Sequence, residues 1–144
     1  MIFNAIEKGS ILARISFIES ELKDLNEFRN IEWKDYREDK IARKNVERTI
    51  ENIVNALIDI SKIVLSDKAA GEIPSNYSQV VLKLSELKIV DFELAEKLAE
   101  CVKLRNFLAH QYLDLRWDRI KKFLQQAPDL FPLFIQSVKN TIKD

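Results

Sequence analysis

At 144 residues, 47% hydrophobic and 32% charged, the chain is long enough to bury roughly two-thirds of its unfolded surface, and one folded domain spanning 1–144 is expected. Lysine plus arginine balances aspartate plus glutamate at 23 each, so no global charge pulls it toward nucleic acid, although a local basic patch stays possible. The lone Cys101 excludes an internal disulfide and a cysteine-based zinc cluster, no uncharged run approaches the ~20 residues of a membrane span, and a reducing, cytoplasmic setting follows.

Two glycines and three prolines leave little material for tight turns, which favours long helices. From about Asn4 to Phe28, Ile11, Ile15, Ile18, Leu22 and Leu25 recur at three-four spacing, one stripe of an amphipathic helix. Glu7, Lys8 and Arg14 break any signal-peptide core in that stretch. Arg29-Asn30-Ile31-Glu32 reads as a break. The strongest pattern follows: Val46, Ile50, Ile53, Leu57, Ile60 and Val64, widened by Val54, Ile58 and Ile63. It predicts a helix buried on more than one side, starting between Trp33 and Lys40 and ending before Gly71 and Pro74.

After the loop at 69–74, Ser75 is the expected cap of a shorter helix carrying Tyr77, Val80, Val81, Leu84 and Leu87. Asp91 caps the next, whose stripe is Leu94, Leu98, Val102, Arg105, Leu108 or Ala109, and Tyr112. Asp114 opens another, with Trp117, Ile120, Phe123 and Leu124, and Pro128 closes it. Asp129 caps a last helix, where Pro132 fits the first turn and Phe134, Ile135, Val138 and Ile142 face inward. No segment sustains a period of two. The fold class is therefore all-α, an up-and-down bundle of four to five main helices.

One stretch carries chemistry, Leu104-Arg105-Asn106-Phe107-Leu108-Ala109-His110-Gln111-Tyr112. His110 is the only histidine, an imidazole able to move a proton near neutral pH. Arg105 supplies a guanidinium, which holds a phosphate by two parallel hydrogen bonds. Together they form the minimum kit for cleaving RNA without a metal. In a regular helix at ~100° per residue, His110 lies about 140° around the axis from Arg105, whereas Tyr112 returns to within about 20° of it. A compact site thus requires the helix to end near His110, or two copies to face one another.

The order Arg105, Asn106, His110 and Tyr112 resembles the HepT-like branch of the HEPN domains, and Leu115-Arg116-Trp117-Asp118-Arg119-Ile120 is similar to the segment that follows there. The resemblance implies a HEPN-like homodimer with a composite cleft built from both motifs. It also implies a ribonuclease toxin that cuts RNA, with tRNA the expected target, by metal-independent transesterification and without a cofactor. His110 would act as general base or acid, Arg105 would stabilise the phosphorane, and Asn106 would orient the imidazole or bind phosphate. Its implied partner is a minimal nucleotidyltransferase antitoxin that adenylylates Tyr112.

Other readings of the same residues are structural: His110 as a C-terminal helix cap, Arg105 paired with Glu100 or Asp114, and Tyr112 in the core. A functional alternative is a non-catalytic helical subunit that binds nucleotide or supports a nucleotidyltransferase. Glu47 and Glu51 lie one turn apart, but no Glu-x-x-His pair accompanies them, so no metal site is expected. Arg105 lies one turn beyond Cys101, a placement able to lower the thiol pKa, but a small buried side chain is the expected role and a cysteine nucleophile is not expected. Arg43-Lys44 and Lys121-Lys122 read as solvated faces unless dimerisation aligns them with the cleft. There is no glycine-rich phosphate loop.

Overall fold

A computed structural model of the chain describes residues 3–67, 73–110 and 112–143, with His110 described by its backbone alone. Six helices are present, α1 (Ala5–Asn26), α2 (Trp33–Glu38), α3 (Lys40–Asp67), α4 (Tyr77–Glu86), α5 (Phe92–His110) and α6 (Leu113–Ile142). α2 is a short connector, so five main helices build the all-α bundle, and no strand occurs among the described residues.

α1 starts at a capping box: the Asn4 side chain accepts from the Glu7 amide, and Glu7 accepts from the Asn4 amide. It buries Ile11, Ile15, Ile18 and Leu25 against α3, the stripe that the spacing predicts. α3 is the central helix. It packs against α1, α2, α4 and α5, which explains why its apolar stripe is wide. α4 lies on α5, and α6 closes the bundle against α5 and α1. Buried residues from every helix join in one hydrophobic core.

The long helix starts at Lys40, the far limit of the start expected between Trp33 and Lys40, because Asp39 is extended (φ −95°, ψ 96°) and separates α2 from α3. Its carboxylate accepts from the Ala42 amide and caps α3. The α4 cap is Asn76 rather than Ser75, its side chain accepting from the Ser78 and Gln79 amides. Part of the preceding loop, 68–72, lies outside the described residues.

The larger correction is at Pro128. It does not end a helix, since α6 runs unbroken from Leu113 through Pro128 and Pro132 to Ile142. Each proline removes one backbone hydrogen bond and costs about 3 kcal/mol. The apolar stripe keeps its helical period across both, burying Ala127, Leu130, Phe131, Phe134 and Ile135. At roughly 1.5–3 kcal/mol for each large side chain, that burial exceeds what breaking the helix would recover.

Candidate functional site

α5 begins at the Asp91 cap, whose carboxylate accepts from the Leu94 amide at 2.7 Å, and it ends at His110. Its inner face buries Leu94, Leu98, Val102, Leu104 and Leu108. With that stripe anchored, Arg105 is left half-buried and Asn106 exposed at the C-terminal end. The two line one cleft of about 340 Å³ with Val102 and Lys103 of α5 and Asn76, Tyr77 and Ser78 at the start of α4.

The Arg105 guanidinium lies over the Tyr77 ring, 5.6 Å from its centroid. Neither carboxylate considered as its partner is engaged with it. Glu100 pairs with Lys103 at 3.6 Å, and Asp114 accepts from the Leu115 amide. Lys62 of α3 places its ammonium 4.4 Å from the same ring. A chain of zero net charge therefore gathers positive charge at its motif, with Lys103 and Arg105 lining the cleft and Lys62, which is not part of its wall, reaching the Tyr77 ring.

Tyr112 departs from the sequence reading. α5 has already ended, so Tyr112 shares no helical face with Arg105; it is the cap residue of α6 in extended conformation (φ −65°, ψ 156°). It is 82% exposed, the opposite of a core tyrosine. The imidazole of His110 lies outside the described residues, while its backbone forms the last position of α5. The four motif residues thus divide. Arg105 and Asn106 share the cleft, and Tyr112 projects into solvent at the junction that follows.

That junction is held by residues the motif does not contain. Arg116 donates through Nη1 to the Leu108 carbonyl at 2.7 Å and to the Glu47 carboxylate of α3 at 3.2 Å. The Arg116 and Glu47 side chains are each only 16% exposed. The phenol of buried Tyr36 donates to the other oxygen of Glu47. Trp117 stacks on Tyr36 with centroids 5.2 Å apart, and Trp33 completes the aromatic group at 6.1 Å from each. A guanidinium thus supplies a donor to the last turn of α5, whose carbonyls have no helical partner. It also ties that turn to the central helix.

Glu47, which the sequence pairs with Glu51, is committed to this network. Burial, followed by the hydrogen bond and the charge of Glu47, raises the Tyr36 phenol above its ordinary pKa. The only sequence hint of the network was Arg116 itself, just downstream of the motif. Its acidic partner Glu47 lies 69 residues away and has no sequence signature.

Cys101 is the small buried side chain expected of it. Its buried environment, with a smaller contribution from Glu100, pushes the thiol up to about 12, so Arg105 one turn away does not lower it. Of the basic runs, Arg43 is not a free surface charge, because it donates to the Tyr36 and Arg37 carbonyls at the end of α2.

A family model described as Ribonuclease HepT-like matches residues 18–138. A protein of Aphanizomenon flos-aquae named tRNA nuclease HepT is 29% identical over 135 residues, covering 94% of this chain and 91% of that protein. Among solved structures, a tri-AMPylated Shewanella oneidensis HEPN toxin in complex with MNT antitoxin superposes with a TM-score of 0.81 at 22% identity. The match covers 96% of this chain and 99% of that one. A toxin-antitoxin solved with AMP-PNP also gives 0.81, at 21% identity, over 92% and 98% of the two chains. At these identities the solved structures establish the fold.

Proposed function

This chain belongs to the ribonuclease HepT-like family and is an RNA endonuclease; from that premise we propose that it is the toxin of a toxin–antitoxin pair, cutting tRNA without a metal. The observation that carries this reading is the cleft where α5 ends, with Arg105 and Asn106 on its wall and His110 one turn further along the same helix.

The proposed reaction is transesterification. His110 acts as general base or acid, on the attacking 2′-hydroxyl or the leaving 5′-oxygen. Arg105 stabilises the charge growing on the phosphorane. Asn106 orients the imidazole or binds a phosphate oxygen. Two copies facing one another across a homodimer would bring both motifs to a composite cleft, and the whole chain acts as a single cytoplasmic domain.

The proposed partner is a minimal nucleotidyltransferase antitoxin that adenylylates Tyr112. The exposure of that phenol at the α5–α6 junction supports it, as does AMPylation of the structurally similar Shewanella toxin. AMP on Tyr112 would add bulk and negative charge next to a cationic cleft, which opposes RNA entry.

The test is cleavage of tRNA by purified wild type and His110→Ala in chelator, with circular dichroism to show that both fold. Cleavage by wild type and a loss of at least about a hundredfold in the variant is expected for a general acid or base. An inert wild type without AMP on its intact mass would instead favour a non-catalytic nucleotidyltransferase subunit.

A further inference from the structure

Tyr77 is the residue of α4 that does not follow its stripe. Val80, Val81 and Leu84 are fully buried, while Tyr77 at the first position stays 39% exposed and forms part of the cleft wall. Two cations from different helices converge on its ring, Lys62 of α3 at 4.4 Å and Arg105 of α5 at 5.6 Å from the centroid. Among the described residues, no carboxylate pairs with either.

We propose that Lys62 and Tyr77, together with Arg105, form a subsite for an RNA phosphate adjoining the one that is cut. The proposal rests on the ribonuclease reading and names the part of the substrate that this side of the cleft holds. Two positive charges drawn to one ring repel each other. The ring quadrupole offsets some of that repulsion, and a phosphodiester between them offsets more. The ring also fixes the direction of both side chains before RNA arrives, so less side-chain entropy is lost on binding. The cleft volume of about 340 Å³ falls within the range of small-ligand sites. Asn76, which caps α4, and Lys103 give its rim further polar groups. Lys62 reaches this subsite beside Tyr77 rather than from the cleft wall, and its role is to bind the strand away from the reacting atoms.

The experiment measures two quantities. Binding of unfractionated tRNA is followed across a salt series, with His110→Ala and His110→Ala/Lys62→Gln as the proteins compared. Cleavage is followed with wild type, Lys62→Gln, Tyr77→Phe and Tyr77→Leu. Loss of one phosphate contact should reduce the salt slope of log K by about 0.7. Lys62→Gln and Tyr77→Leu should raise KM several-fold with kcat nearly unchanged, and Tyr77→Phe, which keeps the ring, should behave as wild type. Lys139→Gln, an exposed charge on α6, serves as the control and should alter neither quantity.

An unchanged slope and KM in Lys62→Gln, with wild type still cutting tRNA, would overturn the subsite and leave the ribonuclease reading standing. A fall in kcat without a rise in KM would overturn it as well, since Lys62 would then act at the chemical step. If wild type neither binds nor cuts tRNA, both readings fall together.

Discussion

Single residues around the motif divide by exposure, and exposure decides what each can do. Tyr112 stands 82% exposed beside a helix end, and among the described residues its side chain makes no cap hydrogen bond. A modifying enzyme can reach such a phenol without unfolding its host. Incubated with its nucleotidyltransferase and ATP, wild type should gain mass in AMP units and lose tRNA cleavage. Tyr112→Phe should gain none, keep its circular dichroism spectrum and stay active in the same mixture. AMP on the Phe variant would move the modification site elsewhere. Cys101 presents the opposite case: although it lies one turn from Arg105, burial keeps it a protonated thiol.

Helices carry the next level of argument, because the site depends on where one of them stops. α5 must end at His110 for the motif to escape regular helical geometry, and Arg116 of α6 holds that end through the Leu108 carbonyl and Glu47. Truncating Arg116 removes the counter-charge of the Glu47 carboxylate in a site where it is 16% exposed and leaves it the Tyr36 phenol as donor. Arg116→Ala should therefore cost about 3–5 kcal/mol in denaturant unfolding. In a cycle of Glu47→Gln, Arg116→Met and the double variant, the double should cost clearly less than the sum of the two singles. Additive effects would show that the pair contributes nothing as a pair. α6 makes a related point, since a long enough buried stripe keeps a helix intact across two prolines.

At the level of the whole molecule, two buried acids tie stability to pH on the alkaline side. The Cys101 thiol rises from an ordinary value of 9.0 to about 12 in the folded chain, and the Tyr36 phenol is raised as well. A group whose folded pKa is raised contributes stability in full below its unfolded pKa and loses it as pH climbs to the folded one. The window for Cys101 is pH 9 to 12. Urea midpoints should hold between pH 7 and 9 and fall above that, and Cys101→Ala should fall less steeply. Identical slopes in the two proteins would remove the thiol from the account.

Much of this was determined by the sequence alone. The all-α class, the central helix, the cap at Asp91 and the motif at the end of α5 follow from local rules of period and capping, which act within a few residues. The motif's likeness to the HepT-like family was equally local, resting on eight consecutive positions. Other features were decided only by tertiary structure. That α6 continues through Pro128, that Glu47 and Tyr36 serve Arg116, that Tyr112 faces solvent, and that Lys62 and Arg105 both reach the Tyr77 ring each depend on packing between helices. Such contacts join residues tens of positions apart, and whether burial outweighs a local preference is settled only once the partner helix is in place.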